Sequence, residues 1–261
     1  MNSKIENLDR SKVTNAVQEI YREVASNPEK GFHFPVGRIS CMNLGYPAEE
    51  LDALPVSAVE SFAGAGYPFV ADSIKSGDTV VDVGSGSGTD VLIARHKTGD
   101  KGLVYGIDFS ETMNKKAREN IDKSGLDGIQ IRESPADNIP LEDANADVAT
   151  SNGAINLVTD KDKAYGEIYR ILRPGGRIQI ADIVLSKPVD AASKANARLW
   201  AECIAGAEPV NTYLDLVRAA GFKDVTVIDR LDYFDRSSNE STRKTAKSLG
   251  AHAIVLIGRK D

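Results

Sequence analysis

Apolar positions along this chain follow two different periods. Across residues 11–26, SKVTNAVQEIYREVAS, the side chains Val13, Val17, Ile20, Tyr21 and Val24 recur at helical spacing, while Lys12, Glu19, Arg22 and Glu23 take the opposite side. That spacing predicts an amphipathic helix. Beyond Ser76 short apolar runs alternate with helical patterns: TVVDVG, a helix from about Thr89, LVYGIDF, a helix from Ser110, IQIRES, ADVATSN, a helix from about Lys161, then RIQIADIV. Strands alternating with helices through short connections predict a parallel sheet covered on both faces. Pro174 and the glycine pair of LRPGGR predict a clean stop to the third of these helices before the fifth strand. A helical insertion follows Leu185, and a helix around TYLDLVRAAGF stops at Gly221. Two strands, DVTVIDRLDYF and HAIVLIGRK, close the pattern on either side of a polar, serine-rich stretch.

Between Pro28 and Pro68 five prolines and many glycines oppose long elements and predict ordered loop with short helices, a kind of segment that covers something. The chain therefore divides into an N-terminal cap and substrate-covering segment, 1–75, and an α/β domain, 76–261, that carries the helical insertion at 186–210. It has no internal repeat and no low-complexity tract.

Composition narrows the function. With 261 residues and 41% hydrophobic content there is enough material for a full core. A net charge of -6, with 38 acidic against 32 basic residues, opposes binding to a phosphate backbone, so nucleic acid is not an expected partner. Cys41 and Cys203 lie far apart in no paired spacing, which indicates neither a disulfide framework nor a metal site and fits a reducing cytoplasm. The first residues, MNSKIENLDR, lack the apolar core of a signal peptide, and no apolar run approaches the ~18 residues of a membrane span. His33, His96 and His252 are scattered, and each reads first as a surface or packing residue.

The stretch VVDVGSGSGTD carries the candidate chemistry. Gly84, Gly86 and Gly88 follow the first strand, at the sheet edge where open parallel sheets bind ligands, and their bare backbone lets a ligand touch the main chain. Thr89 stands where the dinucleotide GxGxxG motif needs a small residue, so the spacing is GxGxG behind Asp82. The second strand ends in Asp108, about where a ribose diol lies if an adenosine crosses the strand tips; its alternative reading is an acid at a helix N-terminus. SPADNIPL puts Asp137 at the third tip, placed to accept from an adenine amino group. A glycine turn and two acids on three successive tips form a constellation.

VVDVGSGSGTD, GIDFSETM, SPADNIPL and RILRPGGRIQIADIV together resemble the successive motifs of class I S-adenosylmethionine-dependent methyltransferases, in order across residues 77–185. The resemblance implies a Rossmann-like sheet of seven strands in the order 3-2-1-4-5-7-6 with the last strand antiparallel. It implies S-adenosylmethionine as cofactor, with Asp82, Gly84, Ser85, Gly86 and Gly88 near its methionine portion and Asp108 on its ribose. Phe109 and Met113 would lie against adenine, Ala136 and Asp137 near the adenine amino group, and Ser151 and Asn152 would face the reacting methyl. That cofactor has no phosphates, which agrees with the absence of a P-loop lysine from the turn.

GAGYP, SNGAINLV, the CIAGA-containing insertion and STRKTAKSLGAHAIVLIGRK resemble one branch, the arsenite methyltransferases. Two cysteines of that branch are Ala65 and Gly153 here, and Cys203 is kept. Trivalent arsenic is a soft centre held by several thiolates, so the departure implies a small-molecule acceptor with another nucleophile: a thiol, a hydroxyl or an activated carbon. Tyr67, Tyr21 and Trp200 are candidate pocket walls, Asn152, Tyr67, His33 and Cys203 candidate catalytic residues, and His33, Tyr67 and Glu202 candidate proton acceptors. A true arsenite methyltransferase, a cofactor-binding regulator without activity and a nicotinamide oxidoreductase are the competing readings.

Overall fold

The computed structural model describes residues 9–261 except 202 and 238, with no side chain described at 192, 198 or 236. Among the described residues one sheet contains β1 (Thr79–Val83), β2 (Leu103–Asp108), β3 (Ile129–Glu133), β4 (Ala146–Asn152), β5 (Leu172–Val184), β6 (Lys223–Leu231) and β7 (His252–Arg259). Their order is β3-β2-β1-β4-β5-β7-β6, and β7 runs antiparallel to both β5 and β6 while the remaining pairings are parallel. This is the α/β sheet expected from the motifs.

The helices are α1 (Arg10–Ser26), α2 (Arg38–Asn43), α3 (Ala48–Asp52), α4 (Val56–Glu60), α5 (Thr89–Thr98), α6 (Glu111–Ser124), α7 (Lys161–Ile171), α8 (Ala191–Lys194), α9 (Ala197–Ala201), α10 (Val210–Ala219) and α11 (Glu240–Leu249). β1 is buried along its whole length because alternate residues serve opposite cores. Val80 packs with Val91, Leu92 and Ile93 of α5 and Met113 of α6. Val81 and Val83 pack with Tyr165, Ile168 and Ile171 of α7 and Tyr213 and Val217 of α10. Each such valine contributes on the order of 1.5–3 kcal/mol by leaving water. The edge strand β6 instead alternates half-buried and exposed positions and carries Lys223, Asp224, Asp229 and Arg230, a charged margin that discourages further strand pairing. No helix among the described residues is long and apolar enough to cross a membrane.

Two elements differ from expectation. α7 ends at Ile171, and the ladder of β5 already pairs Leu172 with Ala146, so Pro174–Gly176 forms a bulge inside the strand rather than a loop before it. Gly175, at φ 78°, turns its N–H onto the Lys260 carbonyl (2.8 Å), and Lys260 N–H returns to the Gly176 carbonyl (2.8 Å). The polar, serine-rich stretch contains α11, which Asn239 caps by accepting from Thr242 N–H (3.2 Å) and which Gly250 ends at φ 62°.

α1 matches its predicted span and buries Val13, Val17 and Val24. Its C-terminal turn is fastened twice: Ser61 Oγ donates to the Val24 carbonyl (3.0 Å) and Lys116 Nζ to the Ala25 carbonyl (2.9 Å). At the other end an exposed Arg10–Asp160 ion pair, 3.3 Å, is worth little.

Candidate active site

At the carboxyl ends of β1, β2 and β4 lies a cavity of about 1170 Å³ including its open mouth. Thr14, Val17 and Tyr21 of α1 form one wall, and residues 61–64 and 152–159 form two more. The floor is the glycine turn. Gly84 sits at φ 80°, and a Cβ there would stand 2.2 Å from the Ala154 methyl, so only glycine lets the turn and the 152–159 wall meet. At Gly86 an added Cβ would meet no protein atom within 4 Å.

Asp108 ties the turn to the next helix. Its Oδ2 accepts from Gly86 N–H (2.9 Å) and its Oδ1 from Ser110 N–H (2.8 Å), the N-cap of α6. It thus braces a helix start, as its alternative reading has it, and it also lines the cavity. Burial raises its carboxyl above the usual range, and these N–H donors oppose the rise. Phe109, Met113, Ala136 and Asp137 line the same lobe. Ser85 also lines the cavity, and its hydroxyl is buried without a hydrogen-bond partner.

Asn152 gathers the three loop elements into one network. Its Oδ1 accepts from Ala65 N–H (2.6 Å) and Gly66 N–H (3.1 Å); its Nδ2 contacts the Gly66 carbonyl, the Tyr46 hydroxyl and Asp90 Oδ2, each at 2.9 Å. Tyr46 donates in turn to Asp90 Oδ1 (2.6 Å). NLGYP, GAGYP and SNGAINL are thus locked together at one amide, and Gly64 is required beside it, where a Cβ would come within 2.6 Å of that amide. The Asn152 side chain lines the cavity, but its hydrogen-bonding capacity is taken by the protein.

The other predicted residues fall in different places. Asp82 lines the cavity and accepts from Thr150 Oγ1 (2.6 Å). Ser151 is fully buried and donates to the Val83 carbonyl (2.7 Å), and it is not part of the lining. Tyr67 donates to both Glu50 oxygens (2.9 and 3.0 Å), outside the lining, and burial followed by that carboxylate pushes its phenol up. His33 packs against the start of α11, with Nδ1 3.3 Å from Thr242 Oγ1 and from Asn239 Nδ2. Cys203 is buried at φ 65° and hydrogen-bonds the hydroxyl of Tyr21, placing it one side chain behind the wall. Cys41 is buried in α2 with its thiol pushed up by desolvation, then by Asp90. Of the expected aromatic walls Tyr21 lines the cavity, while Tyr67 and Trp200 do not; Glu202 lies outside the described residues.

A family model described as a methyltransferase domain matches residues 74–235, which cover the whole turn-and-tip arrangement. The chain belongs to this methyltransferase family. A second model, protein-L-isoaspartate(D-aspartate) O-methyltransferase, matches residues 4–142. The methyltransferase is 33% identical to an arsenite methyltransferase of Halobacterium salinarum over 184 residues, 70% of this chain and 47% of that one. It is 34% identical to a ubiquinone/menaquinone biosynthesis C-methyltransferase of Escherichia coli over 117 residues, 44% of this chain and 46% of that one. It thus spans about half the length of these relatives. An arsenic(III) S-adenosylmethionine methyltransferase of Chlamydomonas reinhardtii superposes with a TM-score of 0.63 at 25% identity, over 86% of this chain and 74% of that one. A Haemonchus contortus phosphoethanolamine N-methyltransferase in complex with S-adenosylmethionine does so with a TM-score of 0.62 at 17% identity, over 85% and 59%, which shows the fold alone.

Asp90 is the residue of the cavity that sequence reasoning missed. It follows the glycine turn directly, in the first turn of α5, where an acid reads as an ordinary dipole partner. The signal was its neighbourhood: an acid inside TDVLIA, a run too apolar to leave it in water. It is buried, and desolvation pushes its carboxyl up to about 6 against the Tyr46 and Asn152 donors.

A second buried carboxylate supports the 152–159 wall of the methyltransferase from behind. Asp182 accepts from Tyr213 Oη (2.6 Å), Asn156 N–H (2.8 Å) and Ile183 N–H (2.8 Å). Desolvation pushes it up to about 6, above its unfolded value, with those donors and Lys161 opposing. Stability from its neutral form is therefore fully present below about pH 4 and is lost as pH rises through about 6. Between pH 4.5 and 7.5 the wild type is expected to lose about 2 kcal/mol of unfolding free energy relative to Asp182→Asn. Urea titrations of both proteins at the two pH values check this, and parallel pH profiles would contradict it.

Proposed function

We propose that the enzyme methylates a small, uncharged acceptor through a thiol, hydroxyl or activated carbon, and that arsenite is not its substrate. The observation that carries this reading is one point of the cavity wall, its neck, where Gly153 lines the cavity and Ala65, outside the lining, packs against it. Ala65 and Gly153, the positions that resemble the cysteines of the arsenite branch, are neighbours: a Cβ built on Gly153 lies 3.6 Å from that of Ala65. The two sulfurs missing from the sequence are thus missing from one place, and neither Cys41 nor Cys203 lines the cavity to replace them. A lone thiol behind the Tyr21 ring is a poor ligand for a centre that needs several.

Charge supports an uncharged acceptor. The lining holds Asp82, Asp90, Asp108 and Asp137 and, among the described residues, no Lys, Arg or His. Phosphorylated or carboxylate-rich acceptors gain nothing there and are repelled.

The residues fit the cofactor: the open space over Gly86, the orphan Ser85 hydroxyl and the spare lone pairs of Asp108 suit an adenosyl amino acid without phosphates. Asp82 and the Gly84–Gly88 turn would hold its methionine portion, Asp108 its ribose, and Phe109, Met113, Ala136 and Asp137 its base. When bound, its sulfonium supplies an already electrophilic methyl group. The chain's own work is then to orient the acceptor and exclude water, which are effects of about 7–11 kcal/mol in favourable cases. In our reading residues 1–75 do so as a cap, through α1 and residues 61–64, while Asn152 positions the neck and Tyr67 and His33 brace the cap. Mass-spectrometric detection of S-adenosylhomocysteine with a panel of neutral thiols, phenols, their phosphorylated analogues and arsenite tests this. Turnover is expected with neutral acceptors only. Methylation of arsenite in the presence of glutathione would overturn the reading, and release with no acceptor in the panel would favour a regulator.

A further inference from the structure

Four carboxylates facing one cavity with no cation in its lining among the described residues create an electrostatic problem that the mechanism above does not use. It is sharpest at Asp82 and Asp90, both of them buried, where the hydrogen-bond partners among the described residues are neutral donors: Thr150 for Asp82, Tyr46 and Asn152 for Asp90. The surroundings add negative charge. Asp108, on β2, acts on Asp82, and Glu50, on α3, acts on Asp90. Tyr46, Tyr67 and Cys41 are acids that would add more if they ionised. The neighbouring cations are engaged elsewhere, Lys97 with Glu50 (2.8 Å) and Arg38 with Asp52 (2.6 Å). Two like charges buried in one wall oppose each other's ionisation when no counterion is beside them.

We propose that Asp82 and Asp90 share one proton in the cofactor-free protein and release it to solvent when a cation enters the cavity, so that the site selects its ligand by charge. This rests on the placement of the cofactor in this cavity. S-adenosylmethionine carries a sulfonium and an ammonium against one carboxylate, a net charge of about +1 at neutral pH. S-adenosylhomocysteine keeps the zwitterion and loses the sulfonium. The entering sulfonium favours the fully ionised pair and expels the proton; the neutral product does not. Burial is the first cause that raises both carboxyls, with the charge of a neighbouring carboxylate adding to it in each case. The same pair regains its proton once the positive charge has been discharged, which weakens the hold on the product relative to the cofactor. The glycine turn and Asp108 grip both ligands alike, and the discrimination therefore belongs to Asp82 and Asp90.

Titration calorimetry of the full chain with each ligand, in phosphate and in Tris at pH 6.5, counts the protons. Release with S-adenosylmethionine is expected to exceed that with S-adenosylhomocysteine by about half a proton or more. The ratio of the two dissociation constants is expected to shift by roughly three- to tenfold per pH unit between pH 5.5 and 7.5, in favour of the cofactor as pH rises. Asp82→Asn, which keeps an oxygen for Thr150, is expected to flatten that shift, and Asp90→Asn to do the same. Equal proton release by the two ligands with a pH-independent ratio would overturn the proposal alone. Failure of both ligands to bind, or binding of both unaffected by Asp108→Asn, would overturn the cofactor placement and the proposal with it.

Discussion

Asp108→Ala is expected to weaken S-adenosylmethionine binding about thirty- to thousandfold, or about 2–4 kcal/mol. A ribose contact alone predicts the lower end. The upper end follows from the two N–H groups that this carboxylate holds, those of Gly86 and Ser110. Removing it frees the middle of the glycine turn and unpins the start of α6, which carries Met113 into the same lobe. Asp108→Asn keeps one acceptor oxygen and is expected to lose less. Calorimetric affinities of the two variants test the assignment; a loss of less than threefold in Asp108→Ala would remove the ribose from that position.

The second large effect is on stability. Asn152→Ala is expected to lower the unfolding free energy by about 3–5 kcal/mol, because it strips partners from Ala65 N–H and Gly66 N–H and takes one donor from the Asp90 carboxylate. It also leaves a void where Gly64 had made room for the amide. Loss of the network releases Tyr46, so activity is expected to fall with stability. Denaturant unfolding of the variant measures the first effect. A cost below about 1 kcal/mol would mean that water replaces the amide and that the neck is not held from this point.

Much of this arrangement was legible from residue order. The strands β1, β2 and the second half of β5 bury both faces and read as short apolar runs, and the starts of α5, α6 and α7 fell where predicted. α11 was hidden because its inward stripe is Thr242, Ala246 and Leu249, too polar to register as a period; its Asn239 cap and Gly250 stop were the available marks. The bulge of β5 was hidden because proline and glycine signal an end to regular pairing, whereas here the adjoining Lys260 backbone takes up the stray groups. Strand tips could be assigned to the cavity by topology, hence Asp82, Asp108 and Asp137. The side chains at the end of β4 and in the cap could not, since tertiary packing decides their direction. Asn152 points into a protein network, Ser151 away from the cavity, and Tyr67 and His33 onto other parts of the cap.

The fastening of α1 bears on the order in which this protein is assembled. α1 precedes every strand in the chain, yet its docking partners are α6 and α9, and its final turn waits for Lys116. It is made before the sheet, and its final turn can be fastened only after Lys116, 91 positions beyond Ala25, has been made. The sheet and its glycine turn can therefore form before the wall that closes over them, and a nascent chain would present an open, ligand-accessible groove until the last piece of its amino end is folded back.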